Sequence, residues 1–272
     1  MSGVPTLKAP ASTTWCVILL LTFSALVSVP LPTLAQTDEI QVYDATIARR
    51  GIFNLTWHNN FVPDGVKVPA FPGAIIPDKS FNGVTEWAYG VTDWFEAGLY
   101  LPLYSVSKNQ GATFNGGKIR LLFVLPHAAD RTFFYGANFE FSYNMTQWDS
   151  SRFTSEIRPI IGVHLHNVDL IANPILDNSW SGGFRNLDFA PAARIAYNFS
   201  PKFALAVEDY SDLGPLRGFF ATDQQAHAVW AVVDRSTRLA DIEAGIGFGV
   251  TPASDKITLK LILSRDFHSP KK

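Results

Sequence analysis

Cysteine is almost missing from this chain of 272 residues: Cys16 is the single one, and it lies in an N-terminal stretch that reads as a segment to be removed. The remainder carries no thiol. That excludes disulfide scaffolds and thiol chemistry, and it suits a chain that crosses an oxidising periplasm unfolded. Charge is scarce as well, with 17% charged residues and a formal net charge of -2. No basic stripe is available to neutralise phosphates, so a nucleic-acid partner is excluded. Beyond Val29 the chain has no apolar run long enough for a membrane-spanning helix. Any crossing of a bilayer must be made with strands.

What the chain does have is apolar and aromatic surface. Hydrophobic side chains make up 47% of it, aromatics 13%, and mean hydropathy is +0.09. Residues 1–35 carry only Lys8 as a charge and hold an apolar run over 15–29 that stops at Pro30. This reads as a secretory signal peptide cleaved after Ala35, in the small-residue context Thr33-Leu34-Ala35. The alternative, an uncleaved anchor helix, has a run short for ~30 Å of hydrocarbon.

From residue 51 onward the dominant pattern has a period of two. Phe95, Ala97, Leu99, Leu101 and Leu103 alternate with Glu96, Gly98, Tyr100, Pro102 and Tyr104, a spacing no helix could use. Trp87, Tyr89, Trp94 and Phe95 border the apolar band with rings, as where a strand meets lipid on one side and a polar lumen on the other. A polar turn at Thr92 and Asp93 folds this stretch into a hairpin. The same alternation recurs, most clearly where Phe133, Tyr135, Ala137, Phe139 and Phe141 oppose Phe134, Gly136, Asn138, Glu140 and Ser142.

Counted from Gly51 there are twelve such strands, the last over residues 256–267. Short turns at Thr92, 126–131, His166, Ser200 and 235–240 alternate with longer connections after Asn60, Ser105, Asn144, Ala172 and Asp212. Sandwiches have no reason to segregate loops in this way, whereas outer-membrane barrels do. The expected fold is all-β: a closed antiparallel transmembrane β-barrel of about 12 strands. Its expected parts are a signal peptide (1–35), a lead-in (36–50) that is either a strand or a periplasmic arm, the barrel (51–267) and a tail (268–272). The Pro- and Gly-rich connection 63–83 is placed to fold over or into the mouth. The final strand ends on Phe267, similar to the C-terminal strands that barrel-assembly machinery recognises, although Arg265 interrupts its apolar face.

The run Trp87-Ala88-Tyr89-Gly90-Val91-Thr92-Asp93-Trp94-Phe95-Glu96 resembles a turn found in outer-membrane proteins grouped with the meta-pathway of phenol degradation, often described as transporters. Residues 208–215 are similar to a further run in that family. The resemblance implies a porin-like barrel in the cell outer membrane and passage of small, often hydrophobic compounds.

If the apolar register faces lipid, the lumen is lined by Glu96, Glu140, Glu156, Asp188, Glu208 and Glu243, with Lys118, Arg120, Arg158, Arg194, Lys202 and Lys260 of opposite sign. Six acids meeting six bases point to cross-lumen pairs that brace the barrel or narrow a channel. Gly245, Gly247 and Gly249 read as small inward residues that make room, not as a dinucleotide fingerprint, which needs a strand-to-helix turn. His164 and His166 share a strand and could join Glu156 or His227 around a metal, but polar lining is the plainer reading.

The favoured function is a channel or transporter for small molecules. Its expected partners are outer-membrane lipid, barrel-assembly machinery and a small-molecule solute, with no cofactor, no resident metal and no enzymatic role. A structural barrel with a closed lumen is the alternative. An outer-membrane lipid hydrolase is weaker, since no serine stands near either histidine in a recognisable motif. Oligomeric state is not written in the sequence.

Overall fold

The computed structural model describes residues 39–181 and 187–267. The expected signal peptide, the start of the lead-in and the tail 268–272 lie outside the described residues. Fourteen strand segments form one antiparallel sheet. They are β1 (Phe53–Asp64), β2 (Phe81–Gly90), β3 (Phe95–Ser107), β4 (Gly111–Val124), β5 (Phe133–Asn144), β6 (Phe153–Leu165) and β7 (Val168–Asn173), then β8 (Leu176–Ser179), β9 (Leu187–Phe189), β10 (Ala192–Ser200), β11 (Phe203–Asp212), β12 (Ala226–Ser236), β13 (Asp241–Gly249) and β14 (Ile257–Phe267).

The sheet closes on itself, because β1 pairs with β2 on one side and β14 on the other: Phe53 stands opposite both Tyr89 and Phe267. β7 and β8 follow one line beside β6, and β9 and β10 follow one line beside them. Fourteen segments, with two staves built of two segments each, make a closed barrel of twelve staves. Closure removes the sheet edges that a bilayer could not satisfy.

Burial runs opposite to that of a water-soluble domain. Phe53, Ile119, Phe133, Ile195 and Val207 are more than half exposed, while Glu140 and Glu208 are 2% and 1% exposed. Apolar side chains on alternate positions look outward, and charged ones look in, as a hydrocarbon solvent demands. Outward rings cluster near the strand ends: Phe95 stacks on Phe123 at 4.8 Å, and Tyr143 meets Phe153 at 5.6 Å.

Two connections differ from expectation. The long connection expected after Ser105 is a turn of three residues, because β3 runs on to Ser107 and β4 begins at Gly111. Polar side chains made this stretch look like a loop, but they are inward strand positions: Asn115 Nδ2 donates to Ser105 Oγ at 2.7 Å, and Ser105 Oγ donates to Asn82 Oδ1 at 2.6 Å. The long connection expected after Ala172 contains strand as well, β8, whose continuity with β7 Pro174 disguises.

Residues 39–49 settle the choice between lead-in strand and external arm in favour of neither. They form no strand, and Ile40, Val42, Tyr43, Ala45 and Ala48 are all buried against inward-facing side chains of the barrel. The segment is threaded through the lumen. Where it leaves, Gly90 lets it pass: a Cβ there would lie 2.3 Å from the carbonyl oxygens of Ala48 and Arg49. The connection 65–80 also turns inward, with Ile75 fully buried against Val84, Tyr100, Leu103 and Trp148.

Candidate functional site

The threaded segment touches both sides of the lumen. Ile40 packs on Ala196, Ala206, Trp230 and Val232 of one side, while Val42, Tyr43 and Ala45 pack on Leu122, Phe134, Ile160 and Ile171 of the other. Hydrogen bonds fix it in place. Tyr43 N donates to Asn173 Oδ1 at 2.7 Å, Asn173 Nδ2 returns a bond to Tyr43 O at 3.0 Å, and Lys260 Nζ donates to Ile40 O at 3.1 Å.

Two ionic networks line the wall around it. In the first, Arg120 bridges Glu86 at 2.7 Å and Glu96, and His58 lies 3.2 Å from Glu86. Lys118 pairs with Glu140 at 2.9 Å and Arg158 with Glu156 at 2.7 Å. Glu39 of the threaded segment sits between these cations, 3.9 Å from Lys118 and 3.6 Å from Arg158. In the second network, Lys260 binds Glu208 at 2.5 Å and Glu243 at 2.6 Å, and Arg194 binds Glu208 and Asp234.

The second network shows what the glycines of β13 do. A Cβ on Gly247 would fall 2.2 Å from the Trp230 indole, and one on Gly245 would fall 3.1 Å from Lys260 Cε. The absent side chains leave space for an indole and an ammonium to lie along the wall.

Of the twelve residues expected in the lumen, Glu96, Lys118, Arg120, Glu140, Glu156, Arg158, Arg194, Glu208, Glu243 and Lys260 lie in these networks. Asp188 lies at the long-connection end, in the wall of the cavity described next. Lys202 is a correction: it is exposed in the turn between β10 and β11, where Pro201 has already ended the strand. The list also lacked Glu39, Glu86, Asp177, Asp212 and Asp234. Glu86 could have been found, since it alternates with the outward Trp87; Asp234 is hidden because Val232 and Trp230, on the same face, are apolar.

At the long-connection end the lumen widens into a vestibule of about 450 Å³, walled on one side by Glu39, Ile40 and Gln41 and flanked by Trp148, Tyr210 and Trp230. The expected balance of six acids and six bases does not describe it. Glu140, Glu156, Asp177 and Asp188 stand opposite one another in register across β5, β6, β8 and β9. Like charges so placed repel. Lys118 and Arg158 offset the first two, whereas Asp177 and Asp188 make no ion pair among the described residues. Asp149, Asp212 and Asp255 add to the acidic side. In the connections, burial pushes the carboxyls of Asp149 and Asp255 above the usual range.

The histidines do not gather. His164 lies 2.6 Å from Asp169 at the short-turn end, His166 is exposed in the β6–β7 turn, and His227 is on the vestibule side. Among the described residues no trio of His, Cys, Asp or Glu side chains is arranged to hold a metal ion.

No family model matches the chain, and no curated protein does. Among solved structures, it is similar to an outer membrane channel from Pseudomonas putida F1, with a TM-score of 0.56 and 15% identity over 84% of this chain and 100% of that one. The NanC porin aligns with a TM-score of 0.49 and 8% identity, over 80% of this chain and 100% of that one. At such identities the first of these likenesses speaks for fold, and it agrees with the closed ring, the outward apolar belt and the inward charge. The chain is an outer-membrane β-barrel of twelve staves.

Proposed function

We propose that the protein is a channel for small molecules, entered from the long-connection end and closed in the described state by its own N-terminal segment. The observation that carries this is the vestibule: a cavity of about 450 Å³ lined by Glu39, Ile40 and Gln41 of the threaded segment together with the barrel. A purely structural barrel could fill its lumen with side chains from the staves. Here the filling is a separate stretch of chain, held by hydrogen bonds and by cations that also have wall partners.

The lining favours particular solutes. Trp148, Trp230 and Tyr210 offer flat apolar faces, and the uncompensated carboxylates raise the local concentration of cations while excluding anions. Neutral aromatic molecules and small organic cations fit this chemistry. The resemblance of the Trp87–Glu96 run to the phenol meta-pathway family supports the aromatic half of the reading. Outer-membrane lipid and barrel-assembly machinery are the partners it implies, and it involves no catalytic role.

Planar-bilayer conductance and liposome swelling with the purified barrel test the proposal. Measurable ion flux with cations preferred supports it. Neither conductance nor swelling, including in a variant lacking residues 39–48, leaves the structural barrel as the correct reading.

A further inference from the structure

Three prolines stand side by side in the barrel wall. β6 pairs with β7 as far as Ile161 opposite Ala172, and with β8 again from Ile157 opposite Leu176, in unchanged register. Carried through the interval, that register sets Pro159 opposite Pro174. On the next boundary, Asn173 opposite Ala192 and Leu176 opposite Phe189 likewise set Pro174 opposite Pro191. Proline has no N–H to give a ladder. Between β6 and β7/β8, residues 158–160 and 173–175 make no ladder pair with each other. On the β9/β10 boundary one bond survives, from Ala190 N to Ile175 O at 3.1 Å.

The position of this seam matters. Pro159 is the middle residue of β6, so the gap lies at the depth of the hydrocarbon, where backbone groups have no water to turn to and an interrupted ladder is costly. By alternation all three prolines face lipid. The inward neighbours Ile160, Ile175, Ala190 and Ala192 belong to the apolar cluster around Tyr43. Ile175 and Ala190 also line the vestibule. Together they give an uncharged solute an apolar surface running from the cavity to the wall at this seam.

We propose that the seam between Pro159 and Pro174 is a lateral portal, through which small, uncharged, lipid-soluble molecules pass between the vestibule and the bilayer. The inference rests on the channel reading and gives it an exit. Asn173, on the inner edge of the seam, is the residue that clamps the backbone of Tyr43. The threaded segment therefore covers the portal from inside, and its release would uncover portal and lumen together.

Disulfide staples test this, since the chain beyond residue 35 has no cysteine of its own. Ile157→Cys with Leu176→Cys bridges the seam on one side of the prolines, and Ile161→Cys with Ala172→Cys on the other. A control pair, Ile119→Cys with Phe141→Cys, joins partners on an unbroken ladder. The readouts are uptake of N-phenyl-1-naphthylamine, a fluorophore that an intact lipopolysaccharide leaflet holds out, by cells producing the barrel, and ionic conductance of the same purified variants.

The portal predicts that oxidised seam staples lower fluorophore uptake several-fold, that reductant restores it, and that conductance and the control pair are unaffected. Pro174→Val, which returns the N–H without a crosslink, should lower uptake in the same direction. Unchanged uptake with the disulfides formed overturns the portal and leaves the channel standing, and so does an equal loss in the control pair. Absence of both uptake and conductance in the unaltered protein and in the variant lacking residues 39–48 overturns the channel reading, and the portal with it.

Discussion

The phenol oxygens of Tyr43 and Tyr100 lie 2.8 Å apart, one on the threaded segment and the other on the wall of β3. Tyr43 also presents its ring to Arg158 at 4.4 Å, so a single side chain meets both the hydrogen-bonding and the cationic features of the lumen. Deleting residues 39–48, or replacing Tyr43 by Ala, is expected to raise single-channel conductance, the deletion more than the substitution. A deletion variant that assembles but conducts no better than the parent would show that the segment does not close the path.

Glu208 is held between Lys260 and Arg194 and is 1% exposed. Glu208→Gln removes the charge that both cations share, and breaking a buried pair from one side costs about 3 kcal/mol or more. The expected outcome is a lower urea midpoint for the compact band seen on unheated electrophoresis. Adding Lys260→Met should recover part of the loss, because the two sites are coupled. A double variant as unstable as the sum of the single ones would argue against the pairing.

Leu99 is 44% exposed in the outward belt, and Glu140 is buried in the lumen. Leu99→Arg sets a charge against hydrocarbon, at about 2 to 4 kcal/mol near the midplane. It should impair assembly into the membrane more than Glu140→Gln does. Comparable yields of heat-modifiable barrel from the two variants would contradict the assigned faces.

The unpaired carboxylates give the vestibule its sign. Asp177→Asn together with Asp188→Asn should move the reversal potential in a salt gradient toward that of a non-selective pore. Asp149 and Asp255, whose carboxyls burial shifts upward, take up protons early as pH falls. Negative charge is lost on acidification, so cation preference should decline as pH falls. Selectivity that rises on acidification would refute this account.

The staves were legible because lipid and lumen impose opposite chemistry on alternate residues, and a period of two such as Phe133 to Tyr143 survives without any knowledge of partners. The threaded segment was not. Ile40, Val42 and Ala48 would alternate in the same way on a strand or on an extended chain lying inside a barrel, since both have the same backbone period. The charge balance failed for a related reason. Lys202 keeps the alternation of its strand but sits past Pro201, in a turn; Asp177 falls in a short segment that Pro174 cuts off from the strand before it. The proline row itself could not be read at all, because Pro159, Pro174 and Pro191 meet only once the register of three staves is known.

Closure of the ring by β1 and β14 carries a topological consequence. Residues 39–49 lie within the ring and enter β1 directly, so with the ring shut they cannot be withdrawn sideways between strands. Any movement of this segment that frees the lumen is a sliding motion along the barrel axis toward one of its mouths.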